Sequence, residues 1–297
     1  MKVVHYSNPE AAADEYDKCI DAAPNGTIYA LSWYLNITCP DWEFLSTDDF
    51  ITVMPLPVFK IMGMKILKQP EYTYQLGVFS TAIPDPAVIQ SFLHCIPGNY
   101  RLKKLYMNKF NLIQTHNSRY CNSFELDLIR SYKILSGLYS AETRKELQKA
   151  ENASLGYMRG ISVHDFLQFA FHFDVFNKQR LKPDQITTLR LITSSAIRYR
   201  SGQIAAAYDA RNNLCAALLF LIYNGRISIH HTAANTAGIR NGALYFMLDA
   251  YIRENSEQNL VLCIDNPDAN NLPDIFHRFG ASLSTYPCIK RLPKSSG

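Results

Sequence analysis

The sequence predicts an α/β (α+β) chain built as two related units in tandem, and three observations carry that expectation. The length of 297 residues is about twice the ~150 residues of an average domain. Helical and strand patterns alternate along the whole chain. The element order of the second half also echoes that of the first. With 47% hydrophobic and 19% charged residues, global disorder is excluded. The 18 Tyr and 16 Phe predict a core and clefts rich in rings, with hydroxyls that stay wet or hydrogen-bonded.

In the first half, a strand is expected at 3–6 and a helix at 9–22, with Pro9 in its first turn. Pro24-Asn25-Gly26 ends that helix. Strands are expected at 42–45, 50–59 and 64–68, and Pro55 and Pro57 place an edge or bulge in the second. A helix starts at Pro86 and ends near Pro97-Gly98, before strands at 101–108 and 121–127.

Around residue 131 the texture changes. Residues 131–138 and 141–155 have helical spacing and many charges, and Gly156 is the expected stop. The domain division is placed here, as 1–135 and 136–297. Helices are expected at 163–176 and 183–199, then strands at 203–209, 214–223 and 226–232. Asn224-Gly225 between the last two predicts a type I′ hairpin. A helix at 238–255, a strand at 260–264, a helix at 272–279 and a strand at 282–291 complete the chain. Ala243, Leu244, Met247, Leu248, Tyr251 and Ile252 form a helical apolar stripe, which is core.

The net charge of +4 is too small to demand nucleic acid, but it is unevenly spread. Residues 1–140 hold 12 Lys+Arg against 13 Asp+Glu, and residues 141–297 hold 18 against 13. The second half therefore suits an anionic ligand or simply has a solvated basic surface. Seven dispersed cysteines without a CxxC pair fit reduced thiols. No signal peptide is visible at the start, and the longest apolar run, 214–223, is far below the ~20 residues of a bilayer span. A cytoplasmic protein without membrane insertion, monomer or homodimer, is expected. No GxSxG, HExxH, P-loop or Rossmann fingerprint is present.

The most informative segment runs from Ile227 through His230-His231-Thr232-Ala233-Ala234-Asn235 to Gly238-Ile239-Arg240-Asn241-Gly242-Ala243. It is a strand, a loop of small residues and a helix start, where N–H groups and the helix dipole favour a pyrophosphate. Gly238 and Gly242 would permit close approach, and Arg240 would add a charge-assisted contact. A plain connection is the alternative.

Residues 139–151, Tyr-Ser-Ala-Glu-Thr-Arg-Lys-Glu-Leu-Gln-Lys-Ala-Glu, resemble the opening of the second half of the Fem-type peptidoglycan aminoacyltransferases. The 235–243 loop is similar to the acyl-CoA pyrophosphate loop of the GNAT acyltransferase superfamily. Ile275-Phe276-His277-Arg278-Phe279-Gly280-Ala281 resembles that superfamily's later helix. Met54-Pro55-Leu56-Pro57, Gln69-Pro70 and 74–79 resemble the first domain of Fem-like proteins of Bacteroidetes. The resemblance implies two tandem GNAT-like domains, each a mixed, bent sheet flanked by helices. It implies acetyl-CoA or another acyl-CoA on the second domain, at Thr232–Ala234, Asn235 and 238–243, and an amine acceptor, small molecule or peptide, between the domains. The loop departs from the usual Gln/Arg-x-x-Gly-x-Gly/Ala pattern, and Ile264-Asp265-Asn266-Pro267-Asp268 stands where relatives have an acidic-Gly-Ser element.

Amine acylation needs a base and a dipole for the oxyanion. His231, with His230 beside it, is a candidate base or a hydrogen-bonded core histidine. Asp265 is a candidate base or anchor, or a turn residue before Pro267. Tyr286 matches the position at which the superfamily often keeps a tyrosine near the thiol, or packs in the core. Backbone N–H groups near Thr232–Ala234 are the expected oxyanion donors. Trp33, Tyr72, Tyr74 and Gln75 would line the acceptor cleft, or pack within the sheet. Lys178, Arg180, Lys182, Arg190, Arg198 and Arg200 would contact phosphates or face water. His164 and His172 lack a third ligand, so no metal is expected.

The leading expectation is acyl transfer from acyl-CoA to an amine. Fem-like transfer from aminoacyl-tRNA to a cell-wall precursor is the second version. A non-catalytic GNAT-like binding module is the rival. A 235–243 loop closed by its own side chains favours the rival; an open groove lined by N–H groups favours transfer.

Overall fold

The computed structural model describes residues 2–113, 119–173, 181–266 and 272–290. The chain divides into two compact units, Met1–Asn122 with Thr285–Gly297, and Ser123–Ser284.

In the first unit, β1 (Val3–Tyr6) is followed by a 3-10 turn at Pro9–Ala12 and by α1 (Ala13–Ala22). Asn8 caps the turn through the Glu10 N–H. Then come α2 (Ser32–Thr38), β2 (Glu43–Thr47), β3 (Thr52–Leu56), β4 (Val58–Ile61), β5 (Met64–Lys68), β6 (Phe79–Ser80), α3 (Pro86–His94) and β7 (Arg101–Tyr106). The expected strand at 50–59 is two strands. Pro57, lacking an N–H, stands at the break, after which β3 pairs with β2 and β6 in one sheet and β4 pairs with β5 in another. β5 then runs parallel to β7, with β6 and α3 between them in the chain. A core of Leu45, Met54, Leu56, Leu67, Phe92 and neighbours fills this unit.

β8 (Arg119–Asp127) carries the chain into the second unit. There α4 (Tyr132–Gly137), α5 (Ala141–Asn152), β9 (Gly156–Arg159), α6 (Val163–His172) and α7 (Pro183–Arg198) precede β10 (Gly202–Tyr208), β11 (Leu214–Tyr223) and β12 (Arg226–Ala234). α8 (Thr236–Arg240), α9 (Ala243–Asn255), β13 (Val261–Ile264), α10 (Leu272–His277) and β14 (Ser282–Ile289) follow, the last ending in the first unit. The second-unit sheet is ordered β8-β13-β12-β11-β10-β9. Asn224 and Gly225 have φ of 47° and 71°, the left-handed pair that a type I′ turn requires. Gly156 opens an unforeseen edge strand, β9, paired with β10. The helix expected at 238–255 is two helices, broken at Gly242 with φ 69°.

Both units share an order: an outer strand, two helices, antiparallel strands, then α3 in the first unit or α8 and α9 in the second, and a strand returning parallel. In the first unit β1 is antiparallel to β2, and β7 returns parallel to β5. In the second, β9 is antiparallel to β10, and β13 returns parallel to β12. The apolar stripe of α9 is buried against Phe220, Ile227, Ile229 and Leu262.

Candidate functional site

β12 pairs with its parallel neighbour β13 over three residues, Arg226↔Val261 to Ser228↔Cys263. Beyond Ser228 its ladder among the described residues is with β11, and a bulge leaves His230 out of register between Phe220↔Ile229 and Leu219↔His231. A bulge bends a strand and re-aims its side chains. The residues from Ile229 to Ala234 therefore lie outside the β13 ladder, on the segment that leads to α8 and α9. His230 and His231 are both buried. Burial first, and then the neighbouring His231, hold the His230 imidazole down to about 3, so it is neutral at physiological pH. The His231 ring meets Phe166 of α6 edge-on at 6.1 Å.

Just before the divergence, one face of the sheet carries a buried polar lane. The registers of β12, β13 and β8 put Arg226 and Ser228, Cys263 and Asp265, and Ser123 and Glu125 on that face. Arg226 donates to Glu125 Oε1 at 3.0 Å and to Asp265 Oδ1 at 3.4 Å. Ser123 and Ser228 each reach the Asp265 carboxylate at 3.3 Å. Burial, with the Asp265 charge adding to it, pushes the Cys263 thiol well above its ordinary range. Asp265 is thus a clamped carboxylate, joined to the sheet by an arginine and two hydroxyls.

The expected phosphate loop is folded onto itself. Asn235 caps α8, accepting the Gly238 N–H at 2.8 Å, and its amide donates to Leu214 O at 3.1 Å. A Cβ on Gly238 would lie 2.2 Å from Cys215 O, and one on Gly242 would lie 2.4 Å from Glu146 O. Both glycines serve close packing against β11 and α5, and the approach expected for a ligand is occupied by the chain itself. Of the expected oxyanion donors, the Ala234 N–H is taken by Phe173 O at 3.0 Å. The outer side of this segment is open. Ile239 and Arg240 border a cleft of about 600 Å³ beside the start of α9, together with Lys149, Tyr245, Asp274 and Arg278.

Tyr286 lies in the other unit, fully buried and edge-on to Tyr106 at 5.6 Å, so it does not share a compact unit with His231 and Asp265. Cys288 packs in the same cluster. A hydrogen bond from Cys121 lowers its thiol to about 7 against burial, helped by Lys104, Lys290 and Arg119.

Also in the first unit, the structure gathers Trp33, Tyr72 and Tyr74 around buried Tyr29 and Tyr34, while buried Gln75 accepts from Lys109. Tyr34 meets Tyr29 at 5.5 Å and Trp33 at 5.3 Å, Tyr29 meets Tyr74 at 5.4 Å, and the Tyr34 hydroxyl donates to Tyr72 O. Tyr72 and Gln75 have φ of 58° and 46°, strained for non-glycine residues and held here by tertiary contacts such as Lys109 N–H to Gln75 Oε1. Arg190, Arg198, Arg200, His164 and His172 are exposed in the second unit. Lys178, Arg180, Pro267 and Asp268 lie outside the described residues. Among the described residues, no three His, Cys, Asp or Glu side chains converge as metal ligands, and no helix is long and apolar enough to cross a membrane.

Sequence reasoning missed Arg226, Ser123, Ser228 and Glu125, along with Lys149 and Arg278. The first four are polar positions within strand patterns, and only cross-strand register unites them.

The whole chain superposes on FemX with a TM-score of 0.64 at 10% identity, covering 97% of each chain. The chain shares the fold of FemX. It is similar in the same way to a conserved protein of unknown function from Bacteroides thetaiotaomicron (TM-score 0.60, 11% identity, 98% of this chain and 100% of that one). It also resembles L-PGS from Bacillus licheniformis (0.58, 13%, 98% and 94%). No protein-family model and no curated protein matches the sequence. The expected α/β class, with mixed sheets flanked by helices, is borne out.

Proposed function

We propose that the chain is an N-acyltransferase that takes an acyl group from acyl-CoA on its second unit. The observation that carries this reading is the divergence of β12 from β13 at the His230 bulge. A strand that leaves its parallel neighbour makes room for an extended ligand, which can add main-chain hydrogen bonds short of the Ala234 N–H that Phe173 O takes, and the amide-bearing arm of coenzyme A is such a ligand. The Fem-type fold supports the same assignment. The anionic end of the donor is assigned to the cleft at the start of α9, where Arg240 and Arg278 supply positive charge beside Asp274 and the Lys149–Glu146 ion pair. This moves the phosphate contact from the closed interior of the 235–243 loop to its outer side.

In this reading catalysis is chiefly positioning of the acceptor amine against the thioester. Within the second unit His231 is the proposed base and Asp265 sets the strand through Arg226. Acetyl-CoA and coenzyme A should raise the melting temperature and release heat on titration, and Arg240→Ala with Arg278→Ala should weaken binding about tenfold. Silence at millimolar ligand would sink the proposal. The rival, a binding module without turnover, draws support from the Asn235 cap that closes the loop. It predicts coenzyme A-independent binding of a small molecule and no thioester cleavage. A salt-dependent shift with tRNA would favour the aminoacyl-tRNA version.

A further inference from the structure

The β4–β5 hairpin of the first unit turns its apolar residues outward. Its registers place Phe59 opposite Ile66 and Ile61 opposite Met64 on one face. The tip is Met62-Gly63, with φ of 49° and 76°. Left-handed turn positions favour Asn, Asp or Gly, yet this one holds a methionine that is 93% exposed. Ile61 and Met64 are 47% and 39% exposed beside it.

The same face is basic. Ile66 pairs with Arg101 of β7, which brings Arg101 onto the apolar face; a register shift then sets Lys104 opposite Lys68 with the exposed Lys103 between, and Lys68 Nζ lies 5.0 Å from the Phe59 ring centre. β4, β5 and β7 together contain six Lys or Arg and no Asp or Glu. Two of the six, Lys60 and Lys65, point to the other face, where they meet Asp41 and Glu43.

We infer that this hairpin docks the protein on an anionic lipid surface, inserting Met62 and its neighbours at the headgroup boundary while Lys68, Arg101 and Lys103 meet lipid phosphates. Apolar side chains that enter the interface and cations that stay at headgroup level are the two requirements of peripheral binding. The apolar residues sit at a protruding tip, which a bilayer accommodates without a preformed pocket. A second copy of the chain would bring an identical set of cations against these, and like charges facing each other disfavour that pairing.

The test uses the full chain and sedimentation with vesicles of phosphatidylcholine, with or without phosphatidylglycerol. Partition to the mixed vesicles should exceed that to the neutral ones at least about tenfold and should weaken in high salt. Met62→Asp, acceptable to a left-handed turn, should lower binding to mixed vesicles about fivefold or more with an unchanged circular dichroism spectrum. Arg101→Glu with Lys103→Glu should remove the preference for anionic lipid. Absence of wild-type sedimentation, equal binding by Met62→Asp, or self-association that Met62→Asp abolishes in a protein that ignores vesicles would each overturn the inference.

Discussion

His230 shows how one buried residue couples fold and pH. Its folded form titrates near 3, and an unfolded chain would take up the proton near 6.5. Between those values the unfolded state binds more protons, so stability must fall as pH drops below 6.5, by roughly 1 kcal/mol per pH unit. Urea unfolding at pH 7, 6 and 5 should show that slope reduced in His230→Asn. Asp265 makes a different case, because Arg226, Ser123 and Ser228 all hold it. Asp265→Asn leaves Arg226 with Glu125 alone and should cost about 2 kcal/mol in urea unfolding. An activity loss without that destabilisation would instead mark Asp265 as a base. Candidates chosen by residue type were found in sequence, but their roles were not. The clamp on Asp265 depends on partners 39 and 142 positions away.

At the scale of the element, most helices and strands were legible because their signals are local. Pro9, Pro86 and Pro183 each start a helix or 3-10 turn, and Asn224-Gly225 dictates its hairpin. The failures share a cause as well. The split at Pro57, the edge strand β9 and the break at Gly242 are decided by what each segment packs against. α8 is the clearest example, since its five residues have little intrinsic helicity and rest on the Asn235 cap and the contact of Gly238 with Cys215. Asn235→Ala should cost about 1 kcal/mol, and Gly238→Ala, which drives a Cβ onto a backbone carbonyl, about 1–3 kcal/mol. Thermal unfolding checks both, and a silent Gly238→Ala would mean that the glycine is kept for a ligand.

For the whole molecule, length, alternation and echoed element order were enough to anticipate a tandem α/β chain, and the repeated pairings β1–β2 and β9–β10, with parallel returns β5–β7 and β12–β13, supply the echo's structural content. The basic excess of residues 141–297 was legible as a number, but the meeting of Arg240, Arg278 and the Lys149–Glu146 pair at the α9 cleft was not. The basic apolar face of the β4–β5 hairpin was equally hidden, because its cations come from strands more than thirty positions apart in the chain. By itself the sequence determined most of the elements and their order, since hydrophobic period, proline placement and turn pairs act over a few residues. Only the tertiary structure decided which of those elements meet, where β12 leaves β13, and that Asn235 closes its own loop. Register and close packing join residues far apart in sequence, and no local pattern encodes that distance.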